Sequence, residues 1–343
     1  MERTRRVFIS DIHLSSQQLY DNSQKPAWYD PAKHNPRLLG FLDKYILKNK
    51  NRIKDLVLLG DVFNTWVCPA GKFPPTYDDI FNANKAVIHK LKEIMKAGIN
   101  LFYLNGNHDF DLQPNTIKKH LKGIKVVNYY RSGRIHAEHG HRFDIYNKPD
   151  FITDPAYGRP IGYFISRLVT SINAQGYGLL DLPSYLDDLL EAAVTPQNIY
   201  STIIEGLAER AGMTDEDEVF MPGKQKIKIH RIKDRYDKLS EIYNLSELIN
   251  DLYQRRYLNA PADRLCQRHD YNVVVFGHTH NATIDKDFFL VEDRIYANSG
   301  SWCKKNAYAV EIDKSPDPSI PIEVFLHKVD RKGEIRDTWQ EEV

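Results

Sequence analysis

The sequence predicts an α/β (α+β) fold, with a sheet that is at least partly parallel, interrupted by a long and mostly helical insertion. Three observations carry this. Short apolar runs alternate with amphipathic stretches in the first part; the texture turns helical between about 146 and 269; strand-like runs then resume at Val273. Strand, helix, strand in alternation builds parallel pairs through crossover connections. The expected units are therefore 1–145 together with 270–343, and the insertion 146–269.

Taken in order, Arg6–Ser10 and Leu56–Leu59 read as buried strands. Between them Leu38, Leu39, Leu42, Tyr45 and Ile46 recur at helical spacing. Val87, Ile88, Leu91 and Met95 repeat that rhythm within Ala83–Ala97, and Gly98 stops the helix. Ile99–Leu104 is a third strand, with shorter ones at Lys125–Val127 and Arg134–Glu138. In the insertion Ile161, Phe164, Ile165, Leu168, Val169 and Ile172 share one helical face. Further helices are expected around Leu186, Leu189 and Leu190, around Ile199, Ile203, Ile204 and Leu207, and around Leu245, Leu248, Ile249, Leu252 and Tyr253. Acidic Thr214–Glu218 and the Pro222-Gly223 pair read as irregular breaks. Strands return at Val273–Phe276, Phe288–Val291, Arg294–Ala297, Ala307–Ile312 and Ile322–Leu326.

Composition bounds the function. The chain has 343 residues, 42% apolar and 27% charged, enough for a sizeable core. A net charge of +1 argues against a general nucleic-acid binder. Cys68, Cys266 and Cys303 are sparse, odd in number and far apart, which suits reduced thiols. The basic start is followed by a short strand rather than a secretory core, and no apolar run approaches the ~20 residues of a membrane span. A cytoplasmic protein is expected.

The chemistry lies immediately beyond the strands. Ser10-Asp11-Ile12-His13 follows the first, Gly60-Asp61 the second and Asn105-Gly106-Asn107-His108-Asp109 the third. Glu138-His139-Gly140-His141 ends a later strand, and Gly277-His278-Thr279-His280 follows Val273–Phe276. Ligands of α/β sheets bind beyond the carboxyl ends of strands, so clusters far apart in sequence can meet. Alone, each is weak: Asp-x-His is commonly solvated, Asn-His-Asp commonly a turn, and a single histidine commonly an interior polar group. Five in this order, each at a strand end, is no coincidence. Carboxylate, imidazole and amide oxygens suit Mn, Fe or Zn, and with no cysteine nearby a thiolate site is disfavoured. On a continuing strand, Asp11 and His13 would share a face, as would His278 and His280.

These motifs resemble the signature of the calcineurin-like metallophosphoesterases, over about residues 5–145 and 270–328. The resemblance implies a β-sandwich flanked by helices, with the insertion as a large cap. It implies two divalent metal ions, one held by Asp11, His13 and His280, the other by Asn107, His139 and His278, with Asp61 bridging. Hydroxide held by the metals would attack phosphorus. His108 would stabilise the phosphoryl oxygens or protonate the leaving oxygen, and Asp109 would orient His108 or hold it charged.

Within that family, Ser10-Asp11-Ile12-His13-Leu14, the Gly60, Asp61, Phe63 and Trp66 positions and Asn107-His108-Asp109-Phe110 are similar to the UDP-2,3-diacylglucosamine hydrolases, which cleave a pyrophosphate. Asn64 departs by replacing an acidic residue, and His141 by replacing an aspartate, which makes it a partner standing behind the ligands or a spare ligand. The insertion is also longer than that group's cap. Its basic run, Lys224, Lys226, Lys228, Arg231, Lys233, Arg235 and Lys238, reads either as a solvated helix face or as a patch for a phosphate-rich head group or an anionic membrane surface. On the second reading Lys224, Lys226, Lys228 and Arg231 contact the substrate. The expected partner is a small-molecule or lipid-linked phosphate, with peripheral membrane contact on that same reading. The expected function is hydrolysis of a phosphate ester or pyrophosphate. The alternatives are a phosphodiesterase acting on cyclic nucleotides or other small diesters, and a non-catalytic scaffold of the same fold.

Overall fold

The computed structural model describes residues 2–22, 27–174, 199–238, 258–286, 293–317 and 319–343. The helices expected around Leu186–Leu190 and Leu245–Tyr253 and the strand at Phe288–Val291 lie outside the described residues.

Two sheets lie face to face between helical layers. The larger runs β14 (Ile335–Glu342), β13 (Glu323–Val329), β12 (Ala307–Asp313), β1 (Arg5–Ile9), β2 (Ile53–Leu59), β3 (Asn100–Leu104) and β4 (Lys125–Val126). The smaller runs β10 (Thr283–Asp285), β11 (Ile295–Asn298), β9 (Val273–Phe276), β6 (Ile135–Ala137) and β5 (Tyr130–Ser132). β1 to β4 pair in parallel, with Val7 beside Leu56 and Leu56 beside Leu101. β6, β9 and β11 are also mutually parallel. The carboxyl ends of both parallel groups therefore carry the five motifs.

Period-two alternation decides which residues fill which layer. Phe8, Val57, Leu59 and Leu104 point between the sheets, against Ile135, Ala137, Val273, Val275, Ile295 and Ala297. Val7, Ile9, Leu56, Leu58 and Leu101 point the other way, onto α2 (Pro31–Phe41) and α4 (Lys85–Lys96) through Leu38, Phe41, Val87 and Leu91. Burial on both faces is why the inner strands read as unbroken apolar runs. α4 ends where Gly98 adopts φ +81°. α1 (Gln17–Tyr20), α3 (Tyr77–Ala83) and α5 (Pro114–His120) are short connectors.

Within the insertion, α6 (Ile161–Ala174), α7 (Ile199–Arg210), the hairpin β7 (Glu218–Phe220) and β8 (Lys226–Lys228), and α8 (Ile229–Asp237) share one core. Ile161, Phe164, Leu168 and Ile172 bury against Ile203, Ile204 and Leu207, so these apolar faces are taken up by one another. Trp66 and Ala70, from the segment after β2, belong to that core and anchor the insertion beside the motifs. α9 (Asn259–His269), within the stretch expected as insertion, packs on the smaller sheet through Ala262, Leu265 and Cys266 against Val274, Phe276 and Tyr296. Among the described residues no helix is long and apolar enough to cross a membrane.

Candidate metal centre

Backbone hydrogen bonds lock the motif loops together before any side chain is considered. Asp11 N donates to Gly60 O at 3.1 Å and His13 N to Asp61 O at 2.9 Å. Gly277 N donates to His139 O at 3.0 Å, and Trp302 N to Asp11 O at 3.0 Å. Asp11, His13, Asp61, His278 and His280 all take left-handed backbone, with φ between 52° and 67°. Asp11-x-His13 and His278-x-His280 are thus not strand continuations, as alternation had suggested. Each motif leaves its strand and turns its side chains into the gap between the sheets, in a conformation that Asp, Asn and His tolerate better than most residues. Glycines permit the close approach: a Cβ on Gly106 would stand 2.1 Å from Asp61 Oδ1, and one on Gly277 2.7 Å from Asp11 Oδ2.

All seven expected ligands converge, in two groups. His280 Nε2 lies 3.0 Å from Asp11 Oδ1 and 3.2 Å from His13 Nε2. His278 Nδ1 lies 3.1 Å from Asn107 Oδ1. Between the groups, Asp61 Oδ2 is 3.8 Å from His13 Nε2 and 3.4 Å from His139 Nε2. Asp11, Asp61 and His139 form one fully buried cluster, and His13, Asp61 and His108 another.

The buried donor set fits cations. Asp11 Oδ2 is satisfied by Ser10 Oγ and by His278 N, whereas Oδ1 is buried without a hydrogen bond. His139 Nδ1 donates to Leu59 O at 2.8 Å, and its buried Nε2, though 3.4 Å from Asp61 Oδ2, likewise makes no hydrogen bond. His278 Nε2 donates to Asp144 Oδ2 at 2.9 Å, which leaves the Nδ1 lone pair facing the Asn107 carbonyl oxygen. Imidazoles oriented by a second partner, with the other nitrogen bare, are prepared as metal ligands. Orphaned buried acceptors facing one another are otherwise costly.

Electrostatics agrees. Burial pushes the Asp11 carboxyl upward, yet the His280 and His139 imidazoles hold it down at about 2. Asp61, against the same burial, is kept well below the carboxylate range by His139 and His108. His139 answers in kind: burial opposes its charge, but Asp61 and Asp11 raise it to about 10. The two carboxylates thus draw a proton onto an imidazole that a divalent cation would deprotonate and replace it on. Burial lowers His13 and His141 well below the ordinary imidazole value and brings His108 down to about 4.

Two expectations need correction. Asp109 neither orients His108 nor sits at its ring. Its carboxylate is buried and accepts backbone N–H from Gly106 at 2.7 Å, Val62 at 2.9 Å, Phe63 at 3.1 Å and Asp61 at 3.3 Å. The ring of His108 instead meets Asn64, with Nδ1 3.1 Å from Asn64 Oδ1, and Trp66 stacks on it with centroids 4.6 Å apart. Finally, a cysteine is nearby after all: Cys303 Sγ lies within 4.8 Å of ring nitrogens of His13 and His280.

His141 stands beside the second group, its ring 5.4 Å from that of His139 and 6.5 Å from that of His278. Lys226 and Lys228 pair with Glu218 and Glu216 at 2.9 and 2.6 Å, so the acidic break neutralises part of the basic run. Lys224 lines a cleft of about 990 Å³ with Thr65, Phe73, Tyr77 and Met221, and Arg231 is exposed on α8. Among the described residues none of the four is bonded to the clustered ligands. Asp144 escaped the sequence reading, because a lone aspartate after His141 carries no pattern of its own.

Residues 4–168 match the model of the calcineurin-like phosphoesterases. No curated protein matches the sequence. Among solved structures the chain is similar to a 5′-nucleotidase precursor from Thermus thermophilus, at 14% identity and a TM-score of 0.31, over 99% of this chain. It spans about half (54%) of the length of that structure.

Proposed function

We propose that this chain, whose residues 4–168 carry a calcineurin-like phosphoesterase domain, is a metal-dependent hydrolase of phosphate esters or pyrophosphates. One observation carries the reading: buried Asp11 Oδ1 and His139 Nε2 lack hydrogen bonds while facing the remaining ligands. Asp11, His13 and His280 would hold one divalent cation, Asn107, His139 and His278 the other, and Asp61 would serve both. Such a pair polarises phosphoryl oxygens and brings the pKa of water towards neutrality.

The protein's own groups do the positioning. Asn64 Oδ1 is already fixed as an acceptor by the Trp66 and Val67 N–H groups, so His108 Nδ1 carries the proton towards it. His108 Nε2 is thereby the nitrogen left for the substrate, and it donates to a phosphoryl or leaving oxygen once a second proton makes the ring an imidazolium. Asp144 holds His278, and the Leu59 carbonyl holds His139. The finer reading is a nucleotide-linked pyrophosphate as in the UDP-2,3-diacylglucosamine hydrolases; the placement of Trp66, one of the shared positions, against His108 supports it.

The test is metal analysis together with turnover of a bis-aryl phosphodiester and UDP-linked sugars by manganese-loaded protein. Two metals per chain and turnover are expected, both lost in Asp61→Ala. An Asp61→Ala protein that keeps two metals and full activity would refute the reading.

A further inference from the structure

We propose that Trp28 is the substrate-facing aromatic of this centre and stacks on a planar group, a nucleobase or an aryl ring, carried by the phosphate ester. This rests on the phosphoesterase reading above. The indole lies directly over the candidate ligands. Its ring centroid is 4.8 Å from that of His13, 5.2 Å from His108 and 5.9 Å from His280. It is nevertheless 42% exposed. His108 is thus met by two indoles: Trp66, buried and stacked on it, and Trp28, open to solvent.

A single exposed aromatic needs no explanation in general. Trp28 differs in what surrounds it. Among the described residues it joins none of the hydrophobic clusters. Of the large apolar side chains that are exposed, it alone has ring contacts with candidate ligands among the described residues. Its indole N–H has no hydrogen-bond partner among the described residues and is available to a ligand's acceptor.

The neighbours also select the ligand. An acyl chain needs a contiguous apolar wall, whereas the rings against Trp28 are three polar imidazoles. One rigid, flat, amphipathic ring beside a phosphate-binding centre instead matches a ligand that carries one flat ring together with its phosphate. Stacking of a base on an aromatic side chain strengthens binding by about 10-fold or more and tolerates any base.

The experiment compares manganese-loaded wild type, Trp28→Phe and Trp28→Ala. Adenosine monophosphate and glycerol phosphate serve as probes, read by calorimetric binding, by KM and by metal content. Trp28→Ala is expected to weaken adenosine monophosphate binding by about 10-fold or more, to change glycerol phosphate by less than about twofold, and to keep both metals; Trp28→Phe should recover most of the loss. Equal losses on the two probes overturn the assignment, as does a wild type that binds both equally. Should wild type bind the nucleotide through Trp28 yet hydrolyse no ester, the aromatic site stands and the phosphoesterase reading fails.

Discussion

The Asn64 carbonyl oxygen lies 3.1 Å from His108 Nδ1 while accepting the N–H groups of Trp66 and Val67, each at 3.0 Å. The two fixed backbone donors leave the amide only one orientation, which assigns the tautomer of the imidazole. Its Nδ2 reaches His13 Nδ1 at 3.3 Å, so one side chain touches rings from two motifs. Asn64→Ala should lower kcat by about 10–100-fold, in line with other partners one step removed from a metal. Asn64→Asp keeps the acceptor and should retain most of the rate. Steady-state kinetics on the pair checks this.

Asp109 makes a different kind of contribution. Removing its carboxylate leaves the N–H groups of Gly106, Val62, Phe63 and Asp61 buried without that acceptor. Asp109→Ala should destabilise the metal-free protein by about 2–5 kcal/mol, measured by urea unfolding. A variant as stable as wild type would show that these donors find other partners.

Arg167, wholly buried on α6, ties that helix to the segment after β2. Its guanidinium donates to the carbonyls of Cys68, Pro69, Ala70 and Lys72 and to Tyr163 Oη. No carboxylate accompanies it in these contacts, so backbone carbonyl dipoles and the Tyr163 hydroxyl solvate the charge. Arg167→Met should cost about 3–5 kcal/mol and expose the 66–73 segment to limited proteolysis. Because Trp66 sits on that segment, kcat should fall with it.

Stability should also fall on mild acidification, through His327. Burial, aided by Arg5, lowers its pKa from the ordinary 6.5 to about 4. The unfolded chain then binds a proton that the folded chain refuses, so stability present above pH 6.5 is lost as pH falls towards 4. The loss is on the order of 2–3 kcal/mol, reduced by Glu311 Oε2 at 3.9 Å from Nε2. Thermal unfolding across that window should show the drop, and His327→Gln should flatten it.

The inner strands and the five motifs were legible because burial on both faces writes β1, β2, β3 and β9 as apolar runs, and each motif follows its strand at once. β14 was not, since Ile335–Glu342 is an exposed edge with alternating charges and no apolar run. The hairpin of β7 and β8 hid behind an acidic break and a basic run that pair with each other across it. Trp28 and Cys303 reach the centre through tertiary folding alone, so no local spacing announces them. Asp109 misled because adjacency to His108 says nothing about direction: neighbours on a tight turn point to opposite sides.

The left-handed backbone at Asp11, His13, Asp61, His278 and His280 has a consequence for how this chain can change. Conformations of this kind hold about 1–3 kcal/mol each in non-glycine residues, and they are released on unfolding. The five positions therefore act as a sprung frame, tensioned by the sheets, which cations at the candidate ligands would clamp. Saturation of any one of them, selected for folding alone, should enrich glycine and asparagine over the native residue. The frame would grow sturdier as it lost its grip on the cations.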